Sequence, residues 1–144
     1  MGVLIYLTGS LRDGKVPSVA ESLRREGIDV HDDWHAAGPH ADDEWKRYER
    51  GRGHSLVQAL AGEAARTVFN FDKKFMSRAE AGVLVTPAGR SAHLEIGWMA
   101  GRGKPTFILL SDDPERWDVM YQFCTEVFED VHQLIEELRR LHIA

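Results

Sequence analysis

Apolar and polar positions follow one another along the chain in blocks that predict alternating strands and helices. Continuous apolar runs are typical of strands buried on both faces of a parallel sheet, and segments with apolar residues at helical spacing follow them. The predicted strands are Val3–Thr8, Ile28–His31, Gly82–Thr86, Thr106–Leu110 and Phe123–Phe128. The predicted helices are Ser18–Glu26, Asp42–Arg50, Leu56–Thr67, Ser91–Gly101, Pro114–Tyr121 and a terminal helix with Val131, Leu134, Ile135, Leu138 and Leu141 on one side.

This order of elements predicts an α/β fold. Strands that alternate with helices form a parallel, doubly wound sheet, because the crossover between two parallel strands is right-handed and lays its helix on a face of the sheet. We expect about five strands with helices on both faces. No repeat, linker or low-complexity segment divides the sequence, so residues 1–144 are expected to form a single domain.

The composition fits one globular domain and narrows the functional classes. The 144 residues are 43% hydrophobic and 28% charged, which is ordinary for a domain with one core. A formal net charge of −5 argues against strong binding to a nucleic-acid polymer. No apolar stretch approaches the ~20 residues that cross a bilayer, so no membrane partner is expected. The single cysteine, Cys124, excludes an internal disulfide and suits a cytoplasmic location.

The most informative segment runs from Val83 to Trp98. A predicted buried strand ends there in a Pro/Gly turn, Ser91 stands where a helix N-cap is expected, and Glu95 follows one turn later. In an open α/β sheet this junction is the carboxyl edge of a strand, where ligands bind. The helix dipole favours an ionised carboxylate in the first turn, so Glu95 is a candidate nucleophile. Acidic residues are also common in first turns without any catalytic role, and this alternative stays open.

The loop after the first predicted strand is a second candidate. The first and third strands flank the point at which strand order reverses, so Tyr6–Arg12 and Pro87–Glu95 should face each other across one crevice. Gly9 lets the backbone approach a ligand closely, while Ser10 and Arg12 offer a hydroxyl and a guanidinium to a phosphate or a sugar hydroxyl. A plain loop with a solvent-facing arginine is the alternative. Neither a P-loop nor a Gly-x-Gly-x-x-Gly dinucleotide fingerprint is present.

Asp72 lies among three phenylalanines between positions 69 and 75. Apolar aromatic surroundings favour the neutral form of a carboxyl group, which is the form that a proton donor needs. An exposed carboxylate paired with the two lysines that follow it is an equally good interpretation of the same residues.

The polar stretch from Asp32 to Gly53 holds one aromatic candidate and several acids. Trp34 offers a flat apolar wall on which a nucleobase can stack, a contact worth ~1–3 kcal/mol. The acidic residues and histidines follow no recognised metal-binding spacing, so a solvated acidic surface is the expected role. We predict no metal site and no cofactor.

Four stretches of the sequence carry a family resemblance. They are Ile5–Ser10, Asn70–Asp72, Pro87–Gly97 and Gly103–Pro105. In this order and spacing, over roughly Val3 to Leu110, the chain resembles the nucleoside 2-deoxyribosyltransferase superfamily, which also contains the 2′-deoxynucleoside 5′-phosphate N-hydrolases. The resemblance implies a flavodoxin-like (Rossmann-like) fold. It also implies cleavage of the N-glycosidic bond of a deoxynucleoside or its monophosphate.

The resemblance also implies roles for particular residues. Glu95 matches the nucleophile that attacks the anomeric carbon and forms a glycosyl-enzyme. Asp72 matches the carboxylate that handles the proton of the leaving base, and Tyr6 matches the tyrosine that positions the nucleophile. The expected substrate contacts are Gly9, Ser10, Arg12, Trp34, Gly89, Arg90 and Ser91. Of these, the first three resemble the stretch with which the monophosphate hydrolases hold phosphate.

Departures from the family leave the substrate and the acceptor open. Hydrolysis is favoured over transfer to a second base, while Gly89, which replaces the Asp of the transferases and the Ser that the hydrolases tend to have, supports an alternative without turnover. A nucleotide-binding module without turnover, or an N-glycosidase for a different nucleotide, is the alternative. The expected ligand is a small nucleoside or nucleotide. Because related folds associate, we expect a homodimer or higher homo-oligomer, with Trp45, Tyr48 and the Leu56 helix as interface candidates.

Overall fold

A parallel sheet of five strands forms the centre of the computed structural model. The structure describes residues 3–111, 113–114 and 116–143, and for residues 142 and 143 it describes the backbone only. The strands are β1 (Leu4–Thr8), β2 (Asp29–His31), β3 (Ala81–Val85), β4 (Thr106–Leu109) and β5 (Glu126–Phe128). Their order is β2-β1-β3-β4-β5, and every neighbouring pair is parallel. This confirms the predicted α/β sheet, with the order reversing between β1 and β3.

Helices cover both faces of this sheet. In the described residues they are α1 (Lys15–Arg25), α2 (Ala41–Gly51), α3 (Leu56–Leu60), α4 (Glu63–Arg78), α5 (Arg90–Gly101) and α6 (Val131–Ile143). The helices α1 and α6 bury apolar side chains against one face, and α4 and α5 bury theirs against the other. Side chains alternate along β1, so Ile5 and Leu7 pack with α1 and α6 while Tyr6 packs with α4 and α5.

The predicted helix Leu56–Thr67 is wrong, because this stretch contains the end of one helix and the start of another. A capping box formed by Ser55 and Gln58 begins α3, which ends at Leu60. Gly62 then adopts extended backbone and becomes the N-cap of α4. Apolar spacing continues across this break, so the pattern did not reveal it. The helix α4 consequently extends through the aromatic segment that carries Asp72.

The predicted helix Pro114–Tyr121 is also wrong. A short 3-10 turn over Val119–Phe123 follows a segment without helix, while residues 112 and 115 lie outside the described residues. This turn includes Phe123, the residue at which the fifth strand was predicted to begin. The helix α1, in contrast, starts three residues before the predicted Ser18. Pro17 falls in its first turn, where a missing N–H costs no helical hydrogen bond.

The terminal amphipathic helix is confirmed as α6. Leu134, Ile135 and Leu138 are buried against the sheet, as their spacing predicted. A second short 3-10 turn, Asp33–Ala37, follows β2 and places Trp34 at the carboxyl edge of the sheet. Within the described ranges, no helix combines the length and apolar character needed to cross a membrane.

Candidate active site

The start of α5 differs from the prediction in a way that changes the electrostatics of Glu95. Gly89 is the N-cap and provides no side-chain cap, so Ser91 lies inside the first turn and is not the cap. Glu95 is the sixth residue of Arg90–Gly101, and the first turn contains no acidic residue. The dipole explanation for an ionised Glu95 is therefore wrong, since the dipole acts mainly within the first turn.

Two side chains of β1 hold the Glu95 carboxylate. Tyr6 Oη donates a hydrogen bond to Glu95 Oε2 at 2.6 Å, and Thr8 Oγ1 donates one to Oε1 at 2.8 Å. Residues two apart in a strand point to the same face, so both donors reach the face that α5 covers. Each carboxylate oxygen thus accepts one charge-assisted hydrogen bond, and the orientation of the group is fixed.

Burial and hydrogen bonding act on Glu95 in opposite directions. Burial raises its pKa above the ordinary value, while the hydrogen bonds from Tyr6 and Thr8 lower it, with a net rise. Burial and the nearby Glu95 charge also raise the pKa of Tyr6. The phenol therefore keeps its proton at neutral pH and continues to donate to the carboxylate.

Asp72 is a second carboxyl group coupled to the first. It lies half-buried on α4, where burial and then the charge of Glu95 raise its pKa to about 6. Among the described residues it forms no ion pair, so the paired-surface interpretation with the lysines that follow is not what the structure has. Two carboxyl groups from different helices are therefore electrostatically coupled, and burial raises the pKa of both.

His31, which the sequence analysis did not single out, lies between β1, whose Tyr6 holds the Glu95 carboxylate, and α4, which carries Asp72. Its ring stacks on Tyr6 with 5.5 Å between centroids and on Phe75 with 3.9 Å, and only 4% of the residue is exposed. Burial lowers the pKa of His31, and its Nε2 atom has no hydrogen-bond partner within the described residues. Phe75 lies one turn after Asp72 on α4. The neutral imidazole therefore spaces β1 from the helix that carries Asp72.

Thr8 and His31 were both findable from the strand pattern. Thr8 follows Tyr6 by two positions, so it shares the face on which Tyr6 was expected to contact the nucleophile. His31 is the last residue of a predicted strand, at the carboxyl edge where ligands bind in open α/β sheets.

The loop after β1 lies beside this group but has its own internal contacts. Ser10 Oγ accepts a hydrogen bond from the backbone N–H of Arg12 at 3.1 Å. The Arg12 guanidinium is exposed and contacts Asp43 Oδ2 at 3.4 Å. A Cβ at Gly9 would lie 2.7 Å from Val16 Cγ2, so close packing of this loop explains the glycine without a ligand.

The remaining predicted contacts are divided between the core and a surface cleft. Trp34 Nε1 donates to the Leu7 carbonyl at 2.7 Å, and its half-buried ring packs on the apolar core at the end of β1. Arg90 and Ser91 line a cleft between α5 and the helices α2 and α3. A Cβ at Gly89 would meet no atom within 4 Å, so space is open at that position. The described residues contain no group of three metal-ligating side chains.

We expect Thr8→Val to raise the pKa of Glu95, because valine keeps the shape of threonine but removes one of the two hydrogen bonds that favour the ionised carboxylate. Carboxyl-carbon NMR titration of the two proteins measures the shift. The control is Thr125→Val, which loses a hydroxyl just before β5, an edge strand of the sheet. It should leave the Glu95 titration unchanged. An unchanged pKa in Thr8→Val would contradict the two-donor arrangement.

Two solved structures share the fold of this chain. A 2-deoxyribosyltransferase from the psychrotolerant bacterium Bacillus psychrosaccharolyticus is similar over 92% of this chain and 90% of its own, with a TM-score of 0.61 and 18% identity. The CMP N-glycosidase of Clostridium botulinum is similar over 94% and 98%, with a TM-score of 0.54 and 11% identity. No protein-family model and no curated protein sequence matches the chain. At these identities the two structures show a shared fold, and the observed fold is the flavodoxin-like one that the motif resemblance implied.

Proposed function

We propose that the protein is an N-glycosidase that cleaves the base–deoxyribose bond of a 2′-deoxynucleoside or its 5′-monophosphate. The observation that carries the proposal is the Glu95 carboxylate, held by Tyr6 and Thr8 and coupled to the second carboxyl group of Asp72. The two similar structures, a 2-deoxyribosyltransferase and a CMP N-glycosidase, agree with this class of chemistry. Water is the proposed acceptor, and transfer to a second base is the variant of the same reaction.

In the proposed reaction Glu95 attacks the anomeric carbon while the bond to the base breaks. A carboxylate has about four lone-pair sites, so each Glu95 oxygen keeps a free one beside the hydrogen bond it accepts. The transition state resembles an oxocarbenium ion, and a sugar without an electron-withdrawing 2′-hydroxyl reaches it more easily. Water then attacks the glycosyl-enzyme, as in retaining glycosidases.

Asp72 acts as the proton donor in the proposed reaction. Its carboxyl group protonates the leaving base in the first step and accepts a proton from the attacking water in the second. The reaction requires an ionised Glu95 together with a protonated Asp72. The pKa of Asp72, raised to about 6, supports its role as the protonated group. The two hydrogen bonds that Glu95 accepts favour its charge and support its role as the ionised group. The two groups titrate as a coupled pair.

The first test of the proposal is Glu95→Gln. This variant keeps the size of the side chain but removes the nucleophile, so release of the base should fall by several orders of magnitude with the fold intact. Chromatography of the four deoxynucleosides and their 5′-monophosphates, with and without a second free base, measures hydrolysis and transfer. Glu80→Gln, an exposed residue at the opposite end of β3, is the matched control. Unchanged base release in Glu95→Gln would exclude Glu95 as the nucleophile.

The second test is the pH profile of the reaction. Because the protonated form of Asp72 is the active one and its pKa is raised to about 6, kcat/KM should fall as the pH rises through about 6. Asp72→Asn should lower kcat by ~100-fold or more and abolish this alkaline limb. A variant profile that retains the limb at the same pH would show that another group donates the proton.

We further propose that the protein associates with a second copy of itself. The side chains of α3 and α4 form an apolar patch that a monomer leaves open, each member at least 48% exposed. The patch consists of Leu56, Val57, Leu60, Val68, Phe69 and Phe71. Sedimentation should show a dimer or larger species that Val57→Lys converts to monomer, while Val119→Lys, on the distant 3-10 turn, does not. A monomeric wild-type protein would contradict this proposal.

A further inference from the structure

A cleft of about 640 Å³ is lined in part by α5, the helix that carries Glu95, and has no role in the reaction described above. It is bounded by α2, α3 and the first turns of α5. Ser91 lines it and lies four residues before Glu95, so the two share one side of α5. Asp43, also in its wall, is the residue that Arg12 of the β1 loop contacts. The cleft therefore borders α5, which carries Glu95, and a residue that contacts the loop after β1, the strand that holds the Glu95 carboxylate.

The uncompensated charge of the cleft is mainly positive. Two of its acids are already paired, Asp43 with Arg12 and Glu49 with His54 at 2.6 Å. The cationic lining residues are Lys46, Arg50 and Arg90, and none of them forms an ion pair within the described residues. Asp42 is the remaining acid, and it lies in the first turn of α2, where the helix dipole favours it. These three cations exceed in charge the two lining acids that have no Lys or Arg partner within the described residues, Asp42 and Glu49, and this excess favours an anionic ligand in an otherwise acidic protein.

The same cleft offers an aromatic surface. Trp45 lines it, and its Nε1 atom is buried without a hydrogen-bond partner in the described part of the chain. Buried indole N–H groups normally have an acceptor, so this one is unusual. Leu56 and Leu94, both largely exposed, add apolar surface to the wall. A flat aromatic ring, such as a nucleobase, matches this surface.

We propose that the cleft binds a second nucleotide, and that the substrate is a dinucleotide whose two halves are joined by a pyrophosphate. The proposal rests on the N-glycosidase function and names its substrate class. The pyrophosphate would lie along Arg90 and Ser91, and the second nucleoside would lie against Trp45. The volume of the cleft alone is that of a small-molecule site. It can therefore hold the second nucleotide in addition to the sugar and base that would bind at Glu95.

The pyrophosphate stays intact in the proposed reaction. The bond between the anomeric carbon and the base nitrogen breaks, and the anomeric carbon forms a bond to a Glu95 oxygen. Asp72 gives its proton to the departing base. Water then replaces Glu95 at the anomeric carbon and returns a proton to Asp72, so that no oxidant, reductant or further reactant is required.

The test compares substrates that differ only in their 5′ arm. The probes are the four 2′-deoxynucleoside 5′-monophosphates, their 5′-diphosphates, and the pyrophosphates that join each monophosphate to adenosine 5′-monophosphate. We expect kcat/KM for base release to be at least 10-fold higher for the dinucleotide than for the monophosphate of the same base. The double variant Lys46→Gln/Arg50→Gln should reduce that ratio at least 5-fold. Arg47→Gln, exposed on the same helix but outside the cleft, is the matched control and should leave it unchanged.

A separate binding measurement distinguishes this proposal from the N-glycosidase function itself. If bases are released from monophosphates and dinucleotides with equal kcat/KM, the second-nucleotide site is wrong and the glycosidase function stands. If no probe releases its base, calorimetric titration of the wild-type protein decides. If the dinucleotide binds at least 10-fold more tightly than the monophosphate, and Lys46→Gln/Arg50→Gln removes this difference, the cleft binds a second nucleotide even though the protein does not turn it over. Equal affinities overturn it.

Discussion

The pairing of β1 with α5 through the Glu95 carboxylate is the interaction on which the rest of the site depends. A charged carboxylate that is largely removed from water is costly unless hydrogen bonds replace those of the solvent. Tyr6 and Thr8 supply one such bond to each oxygen. Both come from one face of a buried strand whose position the whole sheet fixes. The reactive group is therefore held by the most rigid part of the fold rather than by a surface loop.

The second carboxyl group is positioned by packing instead of by hydrogen bonds. The stack of Tyr6, His31 and Phe75 joins β1, β2 and α4, and Asp72 lies one turn from the end of that stack. A neutral imidazole suits this place, because a positive charge one turn from Asp72 would favour the ionised carboxylate and lower the pKa of Asp72. Burial, which lowers the pKa of His31, keeps the ring neutral. The aromatic stack thus supports both the spacing and the protonation state of the donor.

The sequence predicted most reliably those elements whose signal is burial. The strands β1, β3 and β4 are apolar on both faces, and the α6 pattern faces a single core, so their residues are constrained along their whole length. The extent of α4 was missed because its aromatic residues are partly exposed and obscure the helical spacing. The hydrogen bond between Tyr6 and Glu95 spans 89 positions, and only the topology reveals which strand face meets α5. The family resemblance supplied that pairing, while the structure added Thr8 and His31.

Electrostatics also constrain where an anionic substrate arm can lie. A phosphate close to the Glu95 carboxylate would be repelled by it, and the chain as a whole carries a formal charge of −5. Arg90 begins α5, five residues before Glu95, and lines the same cleft as Lys46 and Arg50 of α2. An arm that extends in this direction moves its charge away from the nucleophile and toward compensating groups. Under the proposed function the base is bonded to the opposite end of the sugar from this arm, and Asp72 is the proposed donor of the proton that the base takes up on leaving.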